Sequence, residues 1–157
     1  MDKPSNLRLF KSPQLNSVTP EDAKLLVDFV QFAAKFLKYE GPFSIRMLHA
    51  CPGEPITTGC YSPSEKKITA IVENRHFLDY CRTIAHEMVH QRQDANGDFQ
   101  TNEAVPEIGG KIEDEANAVA GQIMKSYIKT HLTPEQKKKL GLGTYWTLFE
   151  RGLYLLQ

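Results

Sequence analysis

The sequence has no excess of charge of either sign, since its 157 residues include 19 lysines and arginines and 19 aspartates and glutamates. A protein that binds a nucleic-acid backbone or an anionic membrane surface usually presents a strong basic field. The balanced charge therefore argues against nucleic acid and membranes as partners. Long hydrophobic runs are missing too, because no segment approaches the roughly 20 apolar residues of a membrane-spanning helix. Residues 1–12 also lack the apolar centre of a signal peptide.

Cysteine is scarce as well, with Cys51, Cys60 and Cys81 as an odd and widely spaced set. Such a set suits free thiols in a reducing compartment better than a disulfide framework. Together with the missing signal peptide, it leads us to expect a cytoplasmic protein.

The length suits one domain, which usually has about 100–200 residues. We predict a single domain over residues 1–157, with residues 1–18 as the candidate for poor order. No feature of the sequence indicates an oligomeric state.

The spacing of apolar residues predicts an α+β fold. Recurrence at every third or fourth position predicts helices that begin near Thr19, Phe77, Ile112 and Thr133, and one more C-terminal helix that ends near Leu156. Thr19-Pro20 and Thr133-Pro134 are helix-start signals, with Thr as the N-cap and Pro in the first turn. Shorter, partly alternating segments predict strands at residues 43–49, 57–61 and 67–73. A turn-like stretch at residues 62–65 would join the last two strands in antiparallel fashion. We therefore expect a small, mostly antiparallel sheet of about three strands.

The second predicted helix carries the run His-Glu-Met-Val-His from His86 to His90. Residues four apart on a helix lie one above the other, so the two histidines can hold the same cation. Glu87 is turned about 100° from His86, which places it near the metal as a base that can take a proton from the attacking water. Both histidines lie beside an apolar stripe, where unpaired imidazoles would be costly to desolvate. The run therefore predicts a Zn²⁺ site with Glu87 as the catalytic base.

A hydrolytic zinc site needs a third protein ligand. The metzincin arrangement, with a histidine six residues after the second ligand, is excluded because that position is Asn96. On the third predicted helix, Glu113 lies about 60° from the centre of the apolar stripe near Ala116, and Glu115 lies about 100° from it. We predict Glu113 as the third ligand, with Glu115 as the alternative. Asn117 is expected to hold a ligand histidine by a hydrogen bond.

Two runs together resemble the ImmA/IrrE-type metallopeptidases of bacteria and of their phages and mobile elements, a gluzincin-like group. The first run is Arg-Thr-Ile-Ala-His-Glu-Met-Val-His at residues 82–90, and the second has Glu113, Ala116, Asn117 and Ala120 at the matching positions. The similarity covers about a third of the chain, within residues 68–124. This resemblance implies a minimal zincin-like domain, with His86, His90 and Glu113 as zinc ligands and Glu87 as the general base. It implies the activity of a zinc-dependent endopeptidase.

An extended polypeptide is the substrate that we expect. Residues 67–73 lead directly into the second helix, so they are expected to form the sheet edge over the cleft, where a substrate could add as a further strand. A donor for the oxyanion is expected from the C-terminal part of the chain. The candidates are Tyr145, His131 and Arg151.

Two alternatives remain open. One is a non-catalytic binding or regulatory module on a zincin scaffold, against which the presence of Glu87 argues, because a structural metal site has no use for a base. The other is a metallohydrolase that acts on cell-wall peptides, and a secretion signal would favour it.

Overall fold

The computed structural model describes residues 7–51, 57–99 and 110–142. These residues form an α+β fold of four strands and four helices, as the sequence predicted in general class. The order is β1 (Leu7–Lys11), α1 (Pro20–Leu37), β2 (Phe43–Leu48), β3 (Gly59–Ser62), β4 (Lys67–Ile71), α2 (Phe77–Ala95), α3 (Lys111–His131) and α4 (Pro134–Lys139). The helix predicted to end near Leu156 lies outside the described residues. No helix in the described part of the chain is both long and apolar enough to cross a bilayer.

The sheet differs from the predicted one in size and in direction. Its four strands lie in the order β1-β2-β4-β3. The β1–β2 and β2–β4 pairs are parallel, and only β3 and β4 pair in antiparallel fashion. The prediction of a mostly antiparallel sheet of three strands was therefore wrong. The parallel pairing of β1 and β2 is due to α1, which connects them. This helical crossover returns the chain to the end of the sheet where β1 began, so β2 runs in the same direction as β1.

The sheet order also corrects the predicted position of the substrate. β4 is paired with β2 on one side and with β3 on the other, so residues 67–71 do not form an edge. The expected addition of a polypeptide along residues 67–73 is therefore wrong, because the backbone groups of β4 are already used in the sheet. Among the described residues, β3 is the edge strand on this side.

Side-chain caps mark the starts of α1 and α2. At the start of α1, Thr19 Oγ1 accepts a hydrogen bond of 3.0 Å from the backbone N–H of Asp22, and Pro20 occupies the first turn. At the start of α2, His76 Nδ1 accepts a hydrogen bond of 3.1 Å from the Leu78 N–H. Each cap satisfies a backbone donor that has no partner within its helix. The helix start that the sequence predicted near Thr19 is confirmed for α1.

The core lies between one face of the sheet and the helices. Ile45 of β2 and Ile68 of β4 are neighbours in the sheet, and both are fully buried. Phe29 of α1, Ile84 of α2 and Ile123 of α3 are buried with them. α2 packs against the sheet and against α3, and every residue from 84 to 94 is buried or half-buried. Polar side chains in this part of α2 therefore need partners inside the protein.

Gly59 allows β3 to lie directly against α2. A Cβ atom added at this position would overlap the methyl group of Thr83, and it would lie 3.2 Å from the backbone oxygen of Thr69 and 3.6 Å from Glu87 Cγ. The far end of β3 is held to the same helix, because the Tyr61 hydroxyl donates a hydrogen bond of 2.6 Å to Asp94 Oδ2. The edge strand therefore runs along the helix that carries the His-Glu-x-x-His run.

Replacement of Gly59 tests this close contact. We expect Gly59→Ala to lower the free energy of unfolding by about 1–3 kcal/mol, because the added methyl group must displace the strand or the helix. Gly121→Ala is the matched control on α3, where the nearest atom to an added Cβ is Arg82 Nη1 at 3.9 Å. It should raise the stability by about 0.5–1 kcal/mol. Urea unfolding followed by circular dichroism measures both changes, and equal effects of the two variants would contradict the close approach.

Candidate metal centre

Three side chains from two helices converge at one point. His86 Nε2 lies 2.8 Å from Glu113 Oε1, and His90 Nε2 lies 3.1 Å from Glu113 Oε2. The two imidazole nitrogens are 3.1 Å apart. These three residues form a cluster that could hold a metal ion.

The cluster fits the requirements of a divalent transition metal. Two imidazole nitrogens and one carboxylate oxygen are a donor set found in hydrolytic zinc sites, which keep a fourth position open. Ligand atoms about 2.1 Å from a tetrahedral zinc ion lie about 3.4 Å from one another. The two histidine nitrogens are 3.1 Å apart and approach different oxygens of Glu113 at 2.8 and 3.1 Å, each distance slightly shorter than this spacing. Imidazole also suits iron, copper and nickel, so zinc is one of several ions that this donor set can accept.

Helix geometry explains how the sequence brings the three groups together. His86 and His90 are one turn apart on α2, and Glu113 is the third residue of α3. Ala116 and Ala120 of α3 are 0% and 1% exposed. Such small buried side chains let two helices approach closely, which carries the carboxylate of Glu113 to the histidines of α2.

The environment of His86 favours the neutral ring. Burial, together with the neighbouring His90, lowers the pKa of His86 below its usual value, although the negative charge of Glu113 acts in the opposite direction. A neutral imidazole is the form that binds metals. Asn117, expected from the sequence as a hydrogen-bond partner of a ligand histidine, forms a side-chain hydrogen bond with His86.

Glu87 lies beside the cluster without belonging to it. Its side chain is only 8% exposed, and it faces the backbone of β3 at Gly59. Burial raises the pKa of the Glu87 carboxyl to about 8, and the negative charge of Glu113 adds to this effect. A carboxyl group that exchanges its proton near neutral pH suits general acid and base chemistry. Glu87 therefore lies beside the three possible metal ligands, and its carboxyl is not one of the ligand groups.

Sequence reasoning missed one further residue of this region, Gln93. Its side chain is 1% exposed, and its Oε1 atom lies 2.8 Å from His90 Nδ1. The available signal was its position three residues after His90, since residues at this spacing contact each other on a helix. A long polar side chain on the buried side of α2 must also find partners in the protein.

Glu115, the alternative third ligand, is not one of the three converging residues. The Glu115 side chain is 44% exposed and lies 3.8 Å from Arg92 Nη2, so the structure does not bring it into the cluster. Tyr145 and Arg151 lie outside the described residues. Their proposed part in holding the oxyanion stays a prediction.

His131 is too far from the cluster to stabilise an oxyanion there. It is the last residue of α3, and Glu113 is the third, so the two are about 27 Å apart along the helix at about 1.5 Å per residue. The His131 ring stacks on Tyr127 with 5.4 Å between centroids, and it packs edge-on against Phe32 at 4.6 Å. Its proposed role as an oxyanion donor was wrong, and its aromatic packing shows a structural role.

Comparisons of the chain with protein-family models, with curated proteins and with solved structures found no match. The resemblance to ImmA/IrrE-type metallopeptidases therefore stays a prediction from the two sequence motifs. Because a fold by itself does not determine function, the functional conclusion depends on the geometry of the site.

Metal titration of ligand variants tests which carboxylate completes the cluster. Glu113→Gln is expected to weaken Zn²⁺ binding by more than about 100-fold. Loss of a hydrogen-bond partner of a metal ligand already weakens binding by about 10- to 100-fold, and loss of the ligand itself should weaken it further. Asp114→Asn is the matched control, since it removes the same charge from an exposed neighbour on α3. Isothermal titration of the metal-free protein gives the affinities. Zinc lost from Glu115→Gln but retained by Glu113→Gln would show that the wrong carboxylate has been assigned.

Proposed function

We propose that this protein is a zinc-dependent endopeptidase, in which Glu87 acts as the general base toward water that attacks a peptide bond. The observation that supports this most strongly is the buried carboxyl of Glu87 beside His86, His90 and Glu113. A structural metal site needs its ligands only, and such sites are usually closed by four of them. Among the described residues the cluster has three possible ligands, and three ligands beside an unused carboxyl are the arrangement of a hydrolytic centre.

In this proposal His86, His90 and Glu113 hold the ion. When bound, Zn²⁺ supplies Lewis acidity, which lowers the pKa of water toward about 7 and stabilises negative charge on the carbonyl oxygen. Gln93 bonds to His90 at Nδ1, the ring nitrogen outside the cluster, and Asn117 bonds to His86. Such outer hydrogen bonds orient the rings and raise their basicity as ligands.

The chain's own part in the chemistry is proton transfer by Glu87. Its carboxylate takes a proton from the attacking water and passes it to the nitrogen of the leaving amine as the peptide bond breaks. In the metal-free protein a pKa of about 8 leaves the Glu87 carboxyl mostly protonated at pH 7, and the positive charge of a bound Zn²⁺ would lower this pKa and favour the carboxylate. The carboxylate would then start and end each cycle without the proton. Burial against β3 keeps the carboxyl beside the ligands and limits exchange of its proton with bulk solvent.

The edge strand β3 is the proposed docking site for the polypeptide. Within the described residues, β3 pairs with β4 on one side only. On the other side the backbone N–H and C=O of Gly59 bond to the Thr57 hydroxyl, so an added chain would replace Thr57 as the partner of these groups. An extended chain that adds to this side would be held by main-chain hydrogen bonds. Because Gly59 brings β3 against α2 beside Glu87, the added chain would pass close to the proposed reaction centre.

Replacement of the proposed base separates catalysis from metal binding. Glu87→Gln keeps the size of the side chain but cannot accept the proton from water, so kcat should fall by about 100- to 10,000-fold. Zinc should remain bound at the wild-type stoichiometry, since Glu87 is not part of the cluster. Cleavage of a quenched-fluorescent peptide library and of a denatured protein, read by mass spectrometry, measures the change.

The control for this experiment is the wild-type protein treated with a zinc chelator, which should lose activity and regain it when zinc is restored. Equal cleavage by the wild type and by Glu87→Gln would exclude Glu87 as the base. A zinc-loaded wild type that cleaves none of the peptides would favour the non-catalytic binding module instead.

A further inference from the structure

Gln93 makes hydrogen bonds to both helices that contribute to the candidate metal centre. Its Oε1 atom is 2.8 Å from His90 Nδ1 on its own helix. Its Nε2 atom donates to the backbone oxygen of Ile112 at 3.0 Å and to Glu115 Oε1 at 3.1 Å. The side chain is 1% exposed, so water cannot readily replace these bonds.

The partners of Gln93 determine which way its amide points. The Ile112 carbonyl and the Glu115 carboxylate offer only acceptors, so the group that faces them must be the donating NH₂. A reversed amide would place Oε1 against two other oxygen atoms with no hydrogen between them. The carbonyl oxygen of Gln93 therefore faces His90.

This orientation selects one tautomer of His90. An amide oxygen only accepts hydrogen bonds, so His90 Nδ1 must carry the proton. In a neutral ring the lone pair is then on Nε2, the atom that lies beside His86 Nε2 and Glu113 Oε2. Gln93 thus directs the ligating nitrogen toward the point where the three side chains converge.

The second half of the Gln93 amide acts on α3. Ile112 directly precedes Glu113 in the first turn of that helix. The hydrogen bond from Gln93 to the Ile112 carbonyl therefore fixes the position of this turn of α3 along the axis of α2. The position of Glu113 depends on this turn, so one side chain couples the orientation of His90 to the placement of the third ligand.

We propose that Gln93 is a positioning residue that sets the metal affinity of this site by coupling the His90 tautomer to the position of Glu113. This inference rests on the metal site of the proposed function. Loss of an outer hydrogen-bond partner of a ligand histidine typically weakens metal binding by about 10- to 100-fold. An effect in this range is expected when the Gln93 amide is removed.

The chain supplies a matched control in Gln91. It lies on the same helix, is also 1% exposed, and its Nε2 atom donates to the Pro42 backbone oxygen at 2.9 Å and to the Tyr39 hydroxyl at 3.3 Å. These partners belong to the segment between α1 and β2, away from the cluster. Loss of the Gln91 amide should therefore reduce the stability of the fold without affecting the metal ligands.

Titration of Zn²⁺ into the full-length, metal-free protein in competition with a chromogenic chelator tests the proposal. Gln93→Met, which keeps the side-chain length without hydrogen bonds, should raise the zinc dissociation constant by about 10- to 100-fold. Gln91→Met should leave it close to the wild-type value, although both variants lower the melting temperature. The visible spectrum of the Co²⁺-loaded protein should change in Gln93→Met and stay unchanged in Gln91→Met. Only Gln93→Met removes a hydrogen bond to a ligand, His90.

Equal zinc affinities and equal Co²⁺ spectra of Gln93→Met and Gln91→Met would overturn the role of Gln93 and leave the proposed peptidase function intact. If Gln93→Met does not fold, Gln93→Asn replaces it, since the shorter amide cannot span His90 and Ile112 together and should weaken zinc binding in the same direction. A wild-type protein that binds no divalent metal would overturn both the metal site and this inference. None of these measurements depends on peptidase activity.

Discussion

The packing of α2 against α3 is the contact on which the candidate metal centre depends. It brings a carboxylate and two imidazoles within 2.8–3.1 Å of one another, in surroundings where unpaired polar groups are costly. Neutral imidazole nitrogens that turn their lone pairs toward a carboxylate repel it unless a proton or a cation lies between them. Burial lowers the pKa of His86, which disfavours the proton and makes a metal cation the better partner. The helix pair and the ion it could hold are therefore linked energetically, since metal binding would also stabilise the fold.

The sheet contributes by placing a strand beside this centre. Both β3 and β4 pack against α2. β3 is the edge strand among the described residues, and Gly59 lets its backbone approach Glu87. The Tyr61 hydroxyl and the Lys66 ammonium group both bond to Asp94 near the end of α2. These contacts hold the β3–β4 hairpin to the same helix at both ends. The proposed base and the proposed substrate edge therefore lie on elements that contact each other directly.

Features that depend on local spacing could be predicted from the sequence. The four-residue interval between His86 and His90 and the helical phase of Glu113 led to the three side chains that the structure brings together. The start of α1 was predicted from Thr19 and Pro20, whose effects are confined to one turn. Each of these features depends on a few neighbouring residues, and this is why helical periodicity was sufficient.

Features that depend on contacts between distant segments could not be predicted. β1 has only five residues, and its pairing with β2 follows from the α1 crossover, which periodicity does not reveal. The central position of β4 likewise depends on which strands pair, and His131 was misplaced because the length of α3 separates it from the cluster. Gln93 was overlooked since its role depends on Ile112 and Glu115, which reach it only through helix packing.

The most direct test of the metal centre is anomalous X-ray diffraction at the zinc absorption edge from crystals grown with Zn²⁺. A single strong peak is predicted between α2 and α3, bound by His86 Nε2, His90 Nε2 and the Glu113 carboxylate, with no fourth protein ligand. A peak elsewhere, or one in which Glu87 completes a closed set of four protein ligands, would contradict a hydrolytic zinc site at this position.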